Sequence, residues 1–183
     1  MQMSRKTLAA AAAASVFGAA AGPAQAVVVD GFESAVPSNF VDGVPLGLAG
    51  FADATGSTVS LTAPAAPAVP VPGAAAGNAV LRADLNVTDY AGVVRTFSDV
   101  AATQWMSQDW SAFTGVSFWL HGNNTGGGLY FEILDNRSAA ATGYDVELWR
   151  VNFVDDFSGW RQFHFGFGEL ARFDIANGAP DDG

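Results

Sequence analysis

From residue 79 onward, apolar and polar positions alternate in short runs separated by turn residues. Val116, Phe118 and Leu120 alternate with Ser117, Trp119 and His121; Phe163, Phe165 and Phe167 alternate with Gln162 and His164. A period of two is that of a strand with one buried face. The same pattern predicts strands at 79–85, 90–97, 116–121, 129–135, 145–153 and 160–167. The intervening stretches 123–128, 136–143 and 155–159 are rich in Asn, Asp, Ser and Gly, which is turn chemistry. Nearer the start, 27–33 reads as a short strand entering a polar turn, and 37–45 as a loop broken by Gly and Pro. Residues 47–54 and 57–62 read as two strands around Thr55-Gly56. The stretch 63–77 is Ala, Pro, Val and Gly without a charge, hence a surface loop. Beyond Val27 no segment holds a helical period for three turns; 104–109 and 168–172 read as single helical turns. The expected fold is all-β, an antiparallel β-sandwich of jelly-roll type. A first strand needs a neighbour, and 176–183 is loop in composition, so the last strand or two is expected beyond residue 183.

The second side of these strands is unusual. A sandwich strand needs one apolar side, yet the other side here offers Trp119, His121, Tyr130, Glu132, Gln162 and His164. Aromatic rings pack on the C–H face of a sugar, while carboxylate, amide and imidazole groups pair with its hydroxyls. Together the six predict a face for a flat, hydroxylated ligand. The competing explanation for any one of them is packing under a loop. Trp149 and Trp160 are expected in the core or at strand ends, and Arg150 as a support for the face.

The first 26 residues have a different pattern. Arg5 and Lys6 precede an Ala-rich apolar run at 8–21, and Ala24-Gln25-Ala26 fits a leader-cleavage motif. The run is shorter than the roughly 20 residues needed to span a bilayer. The reading is therefore an export leader at 1–26 and one domain at 27–183, secreted to the extracellular or periplasmic space, with no membrane insertion of the mature chain. The 183 residues carry 18 acidic against 8 basic side chains, a net charge of −10, and losing Arg5 and Lys6 makes the chain more acidic still. Such a surface repels nucleic acid and anionic lipid and suits a neutral partner or a cation. There is no cysteine, so stability rests on the core or on a bound metal.

Three stretches carry a family likeness: Asp-Gly-Phe-Glu at 30–33, Asp-Trp-Ser-Ala-Phe-Thr-Gly-Val-Ser-Phe-Trp-Leu-His-Gly at 109–122, and Asp-Phe-Ser-Gly-Trp-Arg-Gln-Phe at 156–163, with Phe167 and Leu170 beyond. In order and separation they resemble the family 11 carbohydrate-binding modules, relatives of the galactose-binding-like and CIA30-type sandwiches. The resemblance implies a jelly roll with calcium in its loops and a concave, tyrosine-lined face for β-glucan; the chain beyond Val27 has Tyr90, Tyr130 and Tyr144. It also implies that Asp30 and Glu33, in the first turn, serve a structural calcium, which takes about 6–8 oxygen ligands. Asp155 and Asp156 read instead as turn residues.

Catalysis finds little support. A glycosidase needs two carboxylates about 5–10 Å apart, and Glu132 and Glu147 are the one pair to consider. No nucleophile elbow, catalytic cysteine, zinc motif or phosphate loop is present. The expected function is a secreted, non-catalytic module that binds a β-glucan or related polysaccharide. The alternatives are a CIA30-type structural or protein-binding sandwich and a small extracellular glycoside hydrolase.

Overall fold

The computed structural model describes residues 6–18, 26–33, 38–41, 44–99, 101, 103–104, 106, 108–135 and 146–177. Positions 24–25 of the cleavage motif, the 136–143 turn, Tyr144 and the 178–183 tail lie outside the described residues. Among the described residues there are twelve strands: β1 (Lys6–Gly18), β2 (Ala26–Val28), β3 (Ser38–Val41), β4 (Val44–Ala52), β5 (Thr58–Ala65), β6 (Val80–Asn86), β7 (Ala91–Thr96), β8 (Phe113–Asn123), β9 (Gly128–Asp135), β10 (Glu147–Val154), β11 (Ser158–Gly166) and β12 (Ala171–Arg172). Among the described residues the one helical element is a 3-10 turn at Phe167–Glu169.

The strands form an all-antiparallel β-sandwich. One layer is a six-stranded sheet in the order β11-β8-β1-β6-β5, with β2 attached to β1. The other layer is two three-stranded sheets, β12-β10-β9 and β3-β4-β7. Both pack on the same side of the large sheet, because side chains alternate and register fixes which ones share a face. Phe118 pairs with Phe163 across β8 and β11, and their rings meet those of Phe131 and Phe153 from the second layer: Phe118–Phe131 at 5.3 Å and Phe153–Phe163 at 4.8 Å between centroids. At the other end Leu81 of β6 is buried with Leu48 of β4 and Phe32, and Leu61 and Val93 close the cluster.

The alternating segments from 79 onward overlap β6 to β11. The differences fall where other forces decide. β3 lies inside the expected 37–45 loop; Pro45 occupies the second position of β4, near a strand end, where a missing N–H costs little. β5 continues to Ala65, three residues into the Pro-rich stretch. Phe167 leaves the Phe163–Phe165 stripe, starts the 3-10 turn and stacks on Trp110, 6.1 Å between centroids. The expected helical turn at 168–172 is thus shifted to 167–169 and followed by β12. The described residues of 104–109 are not helical. Lys6–Gly18, the heart of the expected leader, runs between β6 and β8. Its alanine run has no alternation and alanine is a poor strand former, so nothing in the pattern foretold that position.

Candidate functional site

The six residues expected on one face lie on two. Registers β8–β11 and β9–β10 place Trp119, His121, Gln162 and His164 on the side of the large sheet away from Phe118, and Tyr130 and Glu132 on the side of the second layer away from Phe131. Since Phe118 and Phe131 meet in the interior, the two sets point to opposite outsides of the sandwich. One ligand cannot touch both.

On the large-sheet side, Trp119 and Trp160 are half-buried and pack against Val71 and Val80, with Ala65. The Trp160 indole N–H donates to the Val69 carbonyl at 2.7 Å, and His121 meets the Trp160 ring edge-on at 5.0 Å. The 63–77 stretch therefore passes over this platform. Gln162 and His164, further along β11, are exposed.

The second-layer side is open. Tyr130 is 37% exposed and Tyr90 46%, and both line a cleft between β7 and β9 with Leu85, Asp89, Thr125 and Gly128. Beyond Tyr130, the Arg150 guanidinium lies between two rings, 4.3 Å from the centroid of Tyr130 and 3.7 Å from that of Phe173. Glu132, directly across from Arg150 in the register, forms an ion pair with it. Fixed on both faces and at its Nε, the guanidinium becomes a rigid, planar donor. Burial, and then the neighbouring Glu132 carboxylate, push the Tyr130 phenol above its ordinary pKa, so it remains a neutral O–H at physiological pH. On the other flank Phe51 lies 6.5 Å from Tyr90 and covers Gly92, where a Cβ would come within 2.6 Å of its ring. Rings, a cleft, a carboxylate and a held guanidinium on one face suit a hydroxylated ring.

Two buried aspartates position the rims of this cleft. Asp53, in the β4–β5 turn, accepts N–H bonds from Asp89 (3.2 Å) and Tyr90 (3.1 Å) and is also held by Thr55 and the Ser57 hydroxyl. Asp155, 1% exposed, accepts from the backbone of Asn123, Asn124 and Thr125 and from the Thr125 hydroxyl at 2.7 Å, fixing the β8–β9 turn that leads to Tyr130. Gly122 lies so close that a Cβ would meet the Phe157 carbonyl at 2.5 Å and an Asp155 oxygen at 2.6 Å. The Ser57 hydroxyl, then that of Thr55, hold the Asp53 carboxyl far below its ordinary pKa. Burial opposes ionisation of Asp155, but the Thr125 N–H and hydroxyl and the N–H groups of Asn124 and Asn123 outweigh it, and its pKa is lowered. Asp155 is thus a turn residue, while Asp156 pairs with Arg161 on the surface.

Asp30 and Glu33 are engaged elsewhere. Asp30 accepts the Phe32 N–H at 2.8 Å and forms an ion pair with Arg95 at 2.7 Å; Glu33 accepts the Ala79 N–H at 3.0 Å. A guanidinium on Asp30 repels a cation, and among the described residues no three His, Cys, Asp or Glu side chains gather as a metal cluster. This arrangement does not fit a calcium on the pair. Glu147 is 4% exposed and pairs with Arg172 at 3.1 Å. Its register partner is Asp135, while Glu132 pairs with Arg150, so the two glutamates point to opposite faces of one sheet and cannot flank a bond.

The family model for the carbohydrate binding domain (family 11) matches residues 18–177. The chain belongs to that family. The match begins where β1 ends and spans both outer faces, so every site residue discussed above lies within the family 11 domain. No curated protein and no solved structure matches the chain. Among the described residues no helix is long and apolar enough to cross a membrane.

Of the residues that form the open face, the sequence pattern points to Tyr130 and Glu132, with Arg150 in support. Tyr90 entered only as one of three tyrosines, and Phe51 and Phe173 were missed. A local signal for the turn was present: Asp53-Ala-Thr-Gly-Ser57 is the pattern of an aspartate that folds a turn onto itself, and Asp53 does so here through Thr55 and Ser57.

Proposed function

We propose that the chain is an exported, non-catalytic carbohydrate-binding module that holds a neutral β-glucan or related polysaccharide on the outer face of its second layer. The observation that carries this reading is the open cleft flanked by Tyr90 and Tyr130, continued by the Arg150 guanidinium stacked between Tyr130 and Phe173. Family membership supports sugar as the ligand, and the net charge of −10 favours a neutral glycan over an acidic one. In this reading the tyrosine rings take the sugar C–H faces, and the Arg150–Glu132 pair and Asp89 take hydroxyls.

Titration of the purified chain with soluble β-glucan, cello-oligosaccharides and galactans tests this. The expected result is binding of β-glucan that Tyr90→Ala and Tyr130→Ala each weaken at least tenfold. Absence of binding to all three would overturn it, and binding to galactan alone would replace the sugar while keeping the face.

A further inference from the structure

We propose that the opposite face of the sandwich holds a second sugar platform, covered by the chain's own Pro-rich strap. The strap is the stretch between Ala65 and Val80 that links β5 to β6. It is uncharged and largely exposed, except that Val71 is 7% exposed and seated against Val80, Trp119 and Trp160. Among the described residues one hydrogen bond ties the body of the strap to the sheet, the Trp160 indole N–H to the Val69 carbonyl. Ala74 N–H to Val71 and Asn78 N–H to Ala75 are internal turns, and at the strap's end, next to β6, the Ala79 N–H donates to Glu33.

What the strap supplies to the two tryptophans is what a pyranose would supply: aliphatic C–H groups against the rings and an oxygen acceptor for the indole N–H. The row does not end under the strap. Trp160, Gln162 and His164 share one side of β11, and Gln162 and His164 are exposed, so an open polar track leads to the covered rings. A strap held by one plugged valine and one hydrogen bond is readily displaced by a ligand that offers the same two contacts. The occupant is a neutral hydroxylated ring, for the same reason of charge. This inference rests on the chain being a carbohydrate binder, not on which face is used first.

The test is made on the whole chain, with calorimetric titration of soluble β-glucan and cello-oligosaccharides and tryptophan emission as a second readout. Tyr130→Ala silences the open face, and Val71→Ser removes the plug. The double variant is expected to bind at least tenfold more tightly than Tyr130→Ala alone, with a shift in tryptophan emission, and Trp119→Ala should abolish both. Deletion of 67–76 should act like Val71→Ser. A natively melting Val71→Ser protein with no gain in affinity and no emission shift overturns the strap proposal, whether or not the deletion folds. If Tyr130→Ala leaves binding intact but Val71→Ser still raises it, the open-face reading falls and the strap survives.

Discussion

The two outer faces of this sandwich are alike in sequence and unlike in structure. Each strand behind them alternates apolar residues with aromatic and polar ones, Trp119 and His121 on β8, Tyr130 and Glu132 on β9. On the second layer the rings stand open around a cleft whose rims are held by Asp53 and Asp155. On the large sheet the rings lie beneath the strap. The difference teaches that strand parity says which side a residue takes but not whether that side meets solvent. A loop of some fifteen residues, remote from β8 in the chain, decides the matter.

The largest expected effect tests the wall the faces share. Phe165 contacts Phe118, Phe131, Phe153 and Phe163, so Phe165→Ala should cost about 3–5 kcal/mol in urea unfolding, as for other aromatic truncations in cores. A loss under about 1 kcal/mol would mean the layers do not depend on this cluster.

Next come the anchors of the open face. Asp155→Ala takes the carboxylate acceptor from the Asn123 and Thr125 N–H groups and the Thr125 hydroxyl, while the Asn124 N–H keeps the Phe157 carbonyl; it should cost about 2–3 kcal/mol, with glycan affinity falling as the β8–β9 turn loosens. Acid should act in the same direction. Asp53 and Asp155 have lowered pKa values in the folded state, so their contribution is complete above the ordinary aspartate value of about 3.9. It is lost as pH falls below that toward the folded values. The melting temperature should hold from neutral pH to about 5 and then drop; Asp155→Asn should flatten that drop, and an unchanged profile would remove Asp155 from the account.

Trp119→Ala and Tyr130→Ala compare the faces directly. Losing the strap-covered ring should cost about 3 kcal/mol of stability and leave β-glucan retention by the open face intact. Losing the exposed ring should do the reverse, at least tenfold weaker binding with a stability change of about 1 kcal/mol or less. Affinity-gel retardation and thermal melting on both variants read this out, and equal losses of retention would dissolve the distinction. Arg150→Lys should weaken retention several-fold, because an ammonium cannot lie flat between two rings.

The smallest effect expected is that of a chelator. With Arg95 on Asp30, removal of divalent cations should leave the melting temperature unchanged, and a clear fall would place calcium elsewhere in the chain.

The sequence by itself determined the all-β class, most strands, the inward phenylalanines and the family, since a period of two and three spaced motifs are local properties. It also determined that Asp155 belongs to a turn. It did not determine which aromatic rings are available. Tyr130 and Trp119 have the same local pattern, and their exposure depends on where the 63–77 stretch runs, a contact between segments some fifty residues apart. Nor could it tell that Asp30 has Arg95 as its partner, that Glu132 and Glu147 face apart, or that β7 and β9 leave a cleft between them. Each of these follows from strand order and register, which are set by the packing of the two layers against each other and by no single stretch of the chain.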